Sequence, residues 1–187
     1  MTQRLNDLEE QINAAFASVP APPPWCLSNS REGDEPALLE RDFRDKTDWR
    51  ALTPEFLDWA PDGYASALSF FSDEAFRFYL PAYLLADLRG QLQRADVLFH
   101  LTHGVDDESR SKFVNPRRYG NRTWFDAMSH RYSIFDPAQA AAIVGYLRHK
   151  IESADIEPER RRAQDALDNY WLSRTDSATS ASSDSKD

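Results

Sequence analysis

Two histidines three residues apart, His100 and His103, are followed at once by Asp106, Asp107 and Glu108. Imidazoles and carboxylates are ligands for zinc, manganese or iron, and an i, i+3 pair on a helix turns both rings one way, so His100 and His103 are candidate metal ligands. On a strand the same rings point to opposite faces. The spacing matches no established metal motif, and the ordinary reading is two rings that find hydrogen-bond partners within the fold. His130 and His149 are isolated.

A second set of reactive groups is centred on Arg77, which lies between aromatics in Phe76-Arg77-Phe78-Tyr79, with Tyr83 one turn further on. A guanidinium among buried rings is suited to gripping an anion, which makes Arg77, Tyr79 and Tyr83 candidate binding residues. The alternative is structural: the stem of Arg77 covers apolar surface while its head pairs with Asp73, four residues earlier in the favourable order. Joined to His100 and His103, Arg77 defines an enzyme alternative, a metal-dependent or acid–base site acting on an anion.

The third set is a run of cations. Residues 110–131 carry Arg110, Lys112, Arg117, Arg118, Arg122 and Arg131 against Asp126 alone, with Phe113, Tyr119, Trp124 and Phe125 interleaved. Such a mixture stacks on bases and holds phosphates, folds back onto the protein's own acidic half, or serves as a protein-binding loop, since Arg, Tyr and Trp are the usual interface anchors. Arg117, Arg118, Tyr119 and Trp124 are its candidate contacts. Residues 1–100 hold 17 acidic and 9 basic residues, and the whole chain is at −9, which opposes a nucleic-acid role and favours a protein partner.

Other chemistry is poorly represented. Cys26, the single cysteine, forms no internal disulfide and has no histidine near it in sequence. No nucleophile elbow, phosphate-cradling loop or dinucleotide fingerprint occurs, and 6 glycines in 187 residues leave little room for one, so no cofactor is expected.

The elements that must position these groups read as helices. Leu5, Leu8, Ile12, Ala15, Phe16 and Val19 share one helical face over the first eighteen residues, and Pro20 closes it. Ala-Pro-Pro-Pro-Trp at 21–25 is a rigid connector. A loop over 28–36 leads to a short helix carrying Leu38, Leu39 and Phe43, and Thr53-Pro54 starts another with Phe56, Leu57 and Trp59 that stops near Pro61-Asp62-Gly63. Ser72 with Asp73 and Glu74 starts the most apolar helix, which Pro81 is expected to hinge into two pieces, the second reaching about residue 94. Val97–His103 reads equally as strand or helix, and 104–122 as the longest loop. Asp136-Pro137 opens a helix to about 152, and a last one runs from about Glu159 to Leu172.

The fold expectation is therefore mainly α, a compact single domain over 1–172, with room for one short strand or hairpin around 97–125. Residues 173–187, rich in Ser, Thr, Ala and Asp, are expected to be a disordered tail. A length of 187 residues with 41% hydrophobic residues supports a core without disulfides or metal. No signal-peptide pattern and no run of eighteen apolar residues appears, so a cytoplasmic protein with no membrane contact is expected. The oligomeric state is open.

The stretch Leu68-Ser-Phe-Phe-Ser-Asp-Glu-Ala-Phe-Arg-Phe-Tyr-Leu-Pro-Ala-Tyr83 resembles the signature of a bacterial family of small proteins classed only as a domain of unknown function. Asp48-Trp49-Arg50, the Asp136–Leu147 helix and the late aromatic helix with Tyr170 and Trp171 are similar to that family as well, so that the resemblance covers about 10–172. It brings no catalytic residues with it. The functional expectation rests on charge and size: a non-enzymatic protein-binding domain whose acidic surface suits a basic protein, as in small immunity proteins that neutralise toxins.

Overall fold

The computed structural model describes residues 2–30 and 32–175. They are mainly helical: α1 (Thr2–Ala15), α2 (Glu35–Phe43), α3 (Pro54–Trp59), α4 (Ala67–Phe70), α5 (Asp73–Leu88), α6 (Val97–Thr102), α7 (Pro116–Tyr119), α8 (Trp124–Tyr132), α9 (Pro137–Ser153), α10 (Glu157–Ala166) and α11 (Leu172–Thr175), with a π-helical turn, Leu167–Trp171, joining the last two. Among the described residues there is no strand, only isolated antiparallel bridges of Ser28 with Phe71 and Phe113 with Thr123. The described residues divide into two compact units, the first reaching His100 and the second beginning at Leu101.

The first unit is built around α5. Ser72 is its N-cap, accepting the Ala75 N–H at 3.0 Å. The same hydroxyl donates to the Cys26 carbonyl, and the Ser72 N–H donates to the Leu27 carbonyl at 2.9 Å, which ties the Pro-rich connector to the helix. Helix α5 then continues through Pro81 and ends at Leu88, so the expected division into two helical pieces and the extension to 94 are corrected. An interior proline costs about 3 kcal/mol. Twelve residues of α5 are buried, and each large apolar side chain so placed contributes on the order of 2 kcal/mol, which outweighs the missing bond. Phe43 sits at the centre of the aromatic core, 5.0 Å from Phe56 and 4.9 Å from Phe71 and Tyr79, ring centre to ring centre. Glu9 of α1 pairs with Arg89 at 2.6 Å, just beyond the end of α5.

The second unit closes on Trp171, fully buried, whose indole N–H donates to the Leu101 carbonyl at 2.8 Å. Tyr132, Phe135 and Tyr170 surround it at 4.9, 5.9 and 5.2 Å. Thr123 with Asp126 and Asp136 with Gln139 form reciprocal capping boxes that start α8 and α9. Val97–Thr102 takes the helical of its two readings, and the 104–122 segment is more ordered than a plain loop: it holds a tight 3-10 turn, Glu108–Arg110, and α7. Helix α11 includes Ser173, Arg174 and Thr175, so the chain stays folded three residues past the expected boundary; the rest of the expected tail lies outside the described residues. No helix among the described residues is long and apolar enough to cross a membrane.

Candidate functional site

The residues singled out by type and spacing fall into three environments. Tyr79 and Tyr83 are core, 1% and 0% exposed. The Tyr79 hydroxyl donates to the carbonyls of Lys46 at 2.8 Å and Phe43 at 3.3 Å, pinning the chain after α2 onto α5. The Tyr83 hydroxyl has no hydrogen-bond partner among the described residues; burial above all, then the nearby Asp58 carboxylate, drives its pKa upward. Arg77 is half-buried on the same helix.

His100 and His103 are each half-buried and each packed edge-on against an aromatic neighbour, His100 on Phe99 at 5.3 Å and His103 on Trp124 at 5.1 Å. Burial lowers the pKa of His103, opposed by the negative charge of Asp106. Among the described residues no three His, Cys, Asp or Glu side chains form a group that would hold a metal ion. Arg117, Arg118 and Tyr119 are exposed on α7, while Trp124 is half-buried at the start of α8.

The most organised exposed group in the first unit is one that spacing did not single out, the turn after α3. Thr53 caps this helix by accepting the Phe56 N–H at 3.2 Å, with Pro54 at its first position. Near its end Asp58 is 7% exposed, and its carboxylate accepts the backbone N–H groups of Gln93, Arg94 and Ala95 at 2.6, 3.1 and 3.1 Å. Burial pushes the Asp58 carboxyl pKa up, but those three donors together with the positive charge of Arg94 outweigh it and hold the pKa below the ordinary aspartate value. The clamp fixes the backbone of Arg94, whose guanidinium then lies 3.9 Å from the Trp59 ring and donates to the Gly63 carbonyl at 2.7 Å.

The turn itself is a run of unusual backbone. Asp62, Gly63 and Ala65 all lie in the left-handed region at φ 52°, 79° and 52°. A Cβ on Gly63 would come 3.1 Å from Trp59 Cε3, so the ring rests on the glycine. Asp62 is held from α2 by Arg41 at 3.0 Å, and Arg41 also grips Asp42 at 2.7 Å. Left-handed geometry at Ala65 and Asp62 costs roughly 1 kcal/mol or more each, and such strain persists where the surroundings over-determine it. The product is a display: Trp59 is fixed by Arg94 and Gly63 yet 54% exposed, and Tyr64 is 81% exposed. Trp25, at the end of the Pro-rich connector, is 77% exposed. Beside α3, a shallow groove of ≈ 400 Å³ has Leu52 and Phe56 in its lining and Asp45 and Asp48 among its polar groups. The sequence signal for the turn was Pro61-Asp62-Gly63, legible as a stop but silent about the aromatics on either side.

Fold and surface together define a helical protein that presents fixed aromatics on an acidic unit. The chain belongs to a family of unknown function (DUF6714), whose model matches residues 4–175. No curated protein matches it, and no solved structure does.

Proposed function

We propose that the chain is a non-enzymatic protein-binding domain whose first unit receives a basic protein surface through Trp59, Tyr64 and the acidic groups around them. The observation that carries this reading is Trp59, held rigid by Arg94 and Gly63 while more than half of it faces solvent. Aromatic anchors fixed before binding lose little entropy on association, and Trp and Tyr are over-represented among residues that dominate binding energy. The 17 acidic against 9 basic residues of 1–100 supply a field that steers a cationic partner. The biological form that fits is neutralisation: an acidic protein covering the cationic active face of a toxin, with the reaction chemistry on the partner's side.

Capture of cellular proteins on the immobilised full chain, followed by their identification, tests this against the Trp59→Ser/Tyr64→Ser variant. The expected catch is a basic protein, released by salt and absent from the variant column. Where a toxin is encoded beside the gene, co-expression with it is expected to rescue growth. Equal capture by both proteins, or a catch without net positive charge, contradicts the reading.

A further inference from the structure

The cationic segment of the second unit is not a floppy loop. The Phe113–Thr123 bridge is flanked by two hydrogen bonds, from the Val114 N–H to the Arg122 carbonyl and from the Trp124 N–H to the Lys112 carbonyl, both 2.9 Å. This short ladder closes a hairpin-like arm around α7, and the Thr123–Asp126 capping box fixes its return limb to α8. Some of the cations have local partners: Lys112 pairs with Glu108 at 2.6 Å, and Arg110 lies 3.7 Å above the Phe125 ring. Arg117 and Arg118 are exposed and make no ion pair with a described residue. Next to them Tyr119 is 45% exposed, and Phe113 is 52% exposed on the outgoing limb. The Arg118 guanidinium lies 5.4 Å over the Tyr119 ring, so the arm offers two guanidinium groups outside any ion pair with a described residue, one of them stacked on its own tyrosine, on a braced backbone.

The matching surface chemistry is carried by the same polypeptide. We infer that the 112–124 arm docks on the acidic first unit of a second copy of this chain. Charge selects this occupant. A nucleic acid is negative along its whole length and meets a molecule already at −9; a second copy is at −9 as well, but its charge is divided, so its acidic first hundred residues meet an arm that carries Lys112, Arg117, Arg118 and Arg122 and no acidic residue. The two surfaces differ, so the contact is heterologous and can repeat from copy to copy rather than closing as a symmetric pair. The inference rests on the first unit being an acceptor of basic surfaces. It is tested with no partner present, so its failure leaves the capture experiment to stand or fall separately.

Sedimentation velocity of the full chain at low ionic strength is expected to show a mass rising with concentration from 21.5 kDa to twice that and beyond. About 0.5 M salt, where screening acts within a few ångströms, is expected to return it to the monomer. Arg117→Glu/Arg118→Glu is expected to remain monomeric throughout with an unchanged helical circular-dichroism spectrum. In a mixture of isotopically light and heavy Arg117→Lys/Arg118→Lys chains, which keep the charge and supply amines, carbodiimide is expected to join these lysines to carboxylates of residues 1–100 across light–heavy pairs. A monomer at every salt and concentration, or cross-links confined to single copies, overturns the inference. So does tight binding of a 20-nucleotide single-stranded oligouridylate that Arg117→Glu/Arg118→Glu abolishes while self-association is absent.

Discussion

Asp58 acts on a surface it does not reach. Its carboxylate collects three backbone N–H groups from 93–95, and this places Arg94 against the face of Trp59. The left-handed residues beyond Trp59 are what that arrangement demands of the chain, and they make opposite demands on substitution. Gly63→Ala puts a methyl 3.1 Å from the Trp59 ring at φ 79°, and is expected to lower stability by about 1–3 kcal/mol. Ala65→Gly relieves the strain at φ 52° but frees the unfolded chain, so stability in urea is expected to hold or rise by up to about 1 kcal/mol. A loss at Ala65→Gly as large as that at Gly63→Ala would remove the argument for a strained display turn. His103 gives a pH-dependent reading at the same scale. Burial makes the folded state bind its proton less readily than the unfolded chain, so its stabilisation is complete above the ordinary value of 6.5 and is lost as pH falls through the lowered one. Imidazole NMR, assigned with His103→Gln, is expected to show the His103 ring titrating below 6.5 and the variant to lose stability less steeply on acidification.

At the scale of elements, Gly104 shows how closely the pieces approach. It lies at φ 78° just after α6, and a Cβ there would sit 2.5 Å from Met128 Cγ and 3.3 Å from the Trp124 carbonyl of α8. Gly104→Ala is expected to destabilise the protein by about 1–3 kcal/mol in chemical denaturation, because both the dihedral and the helix contact must give. Wild-type stability in that variant would mean that α8 is free to shift. Helix starts were the most legible part of the sequence, since Thr53, Ser72 and Asp136 act on backbone N–H groups only three residues away. Pro81 was misread because the burial that carries α5 through it comes from residues distant in sequence. Trp59 shares a helical run with Phe56 and Leu57, and its contacts with Gly63 and with Arg94, thirty-five positions on, hold it at the surface. Tyr79 and Tyr83 illustrate the converse: aromatic spacing alone does not separate a binding cage from a core, and both are core.

Across the whole molecule, the net charge of −9 conceals an acidic first hundred residues and a cationic arm braced in the second unit. The central claim is that Trp59 and Tyr64 anchor a basic protein on the first unit, and titration calorimetry with the captured partner tests it most directly. Trp59→Ser/Tyr64→Ser is expected to weaken binding at least about thirtyfold, the loss of a hot spot of about 2 kcal/mol, with folding unchanged. Wild-type affinity is expected to fall as salt rises. Full affinity in the double variant, or an affinity indifferent to salt, would contradict the account.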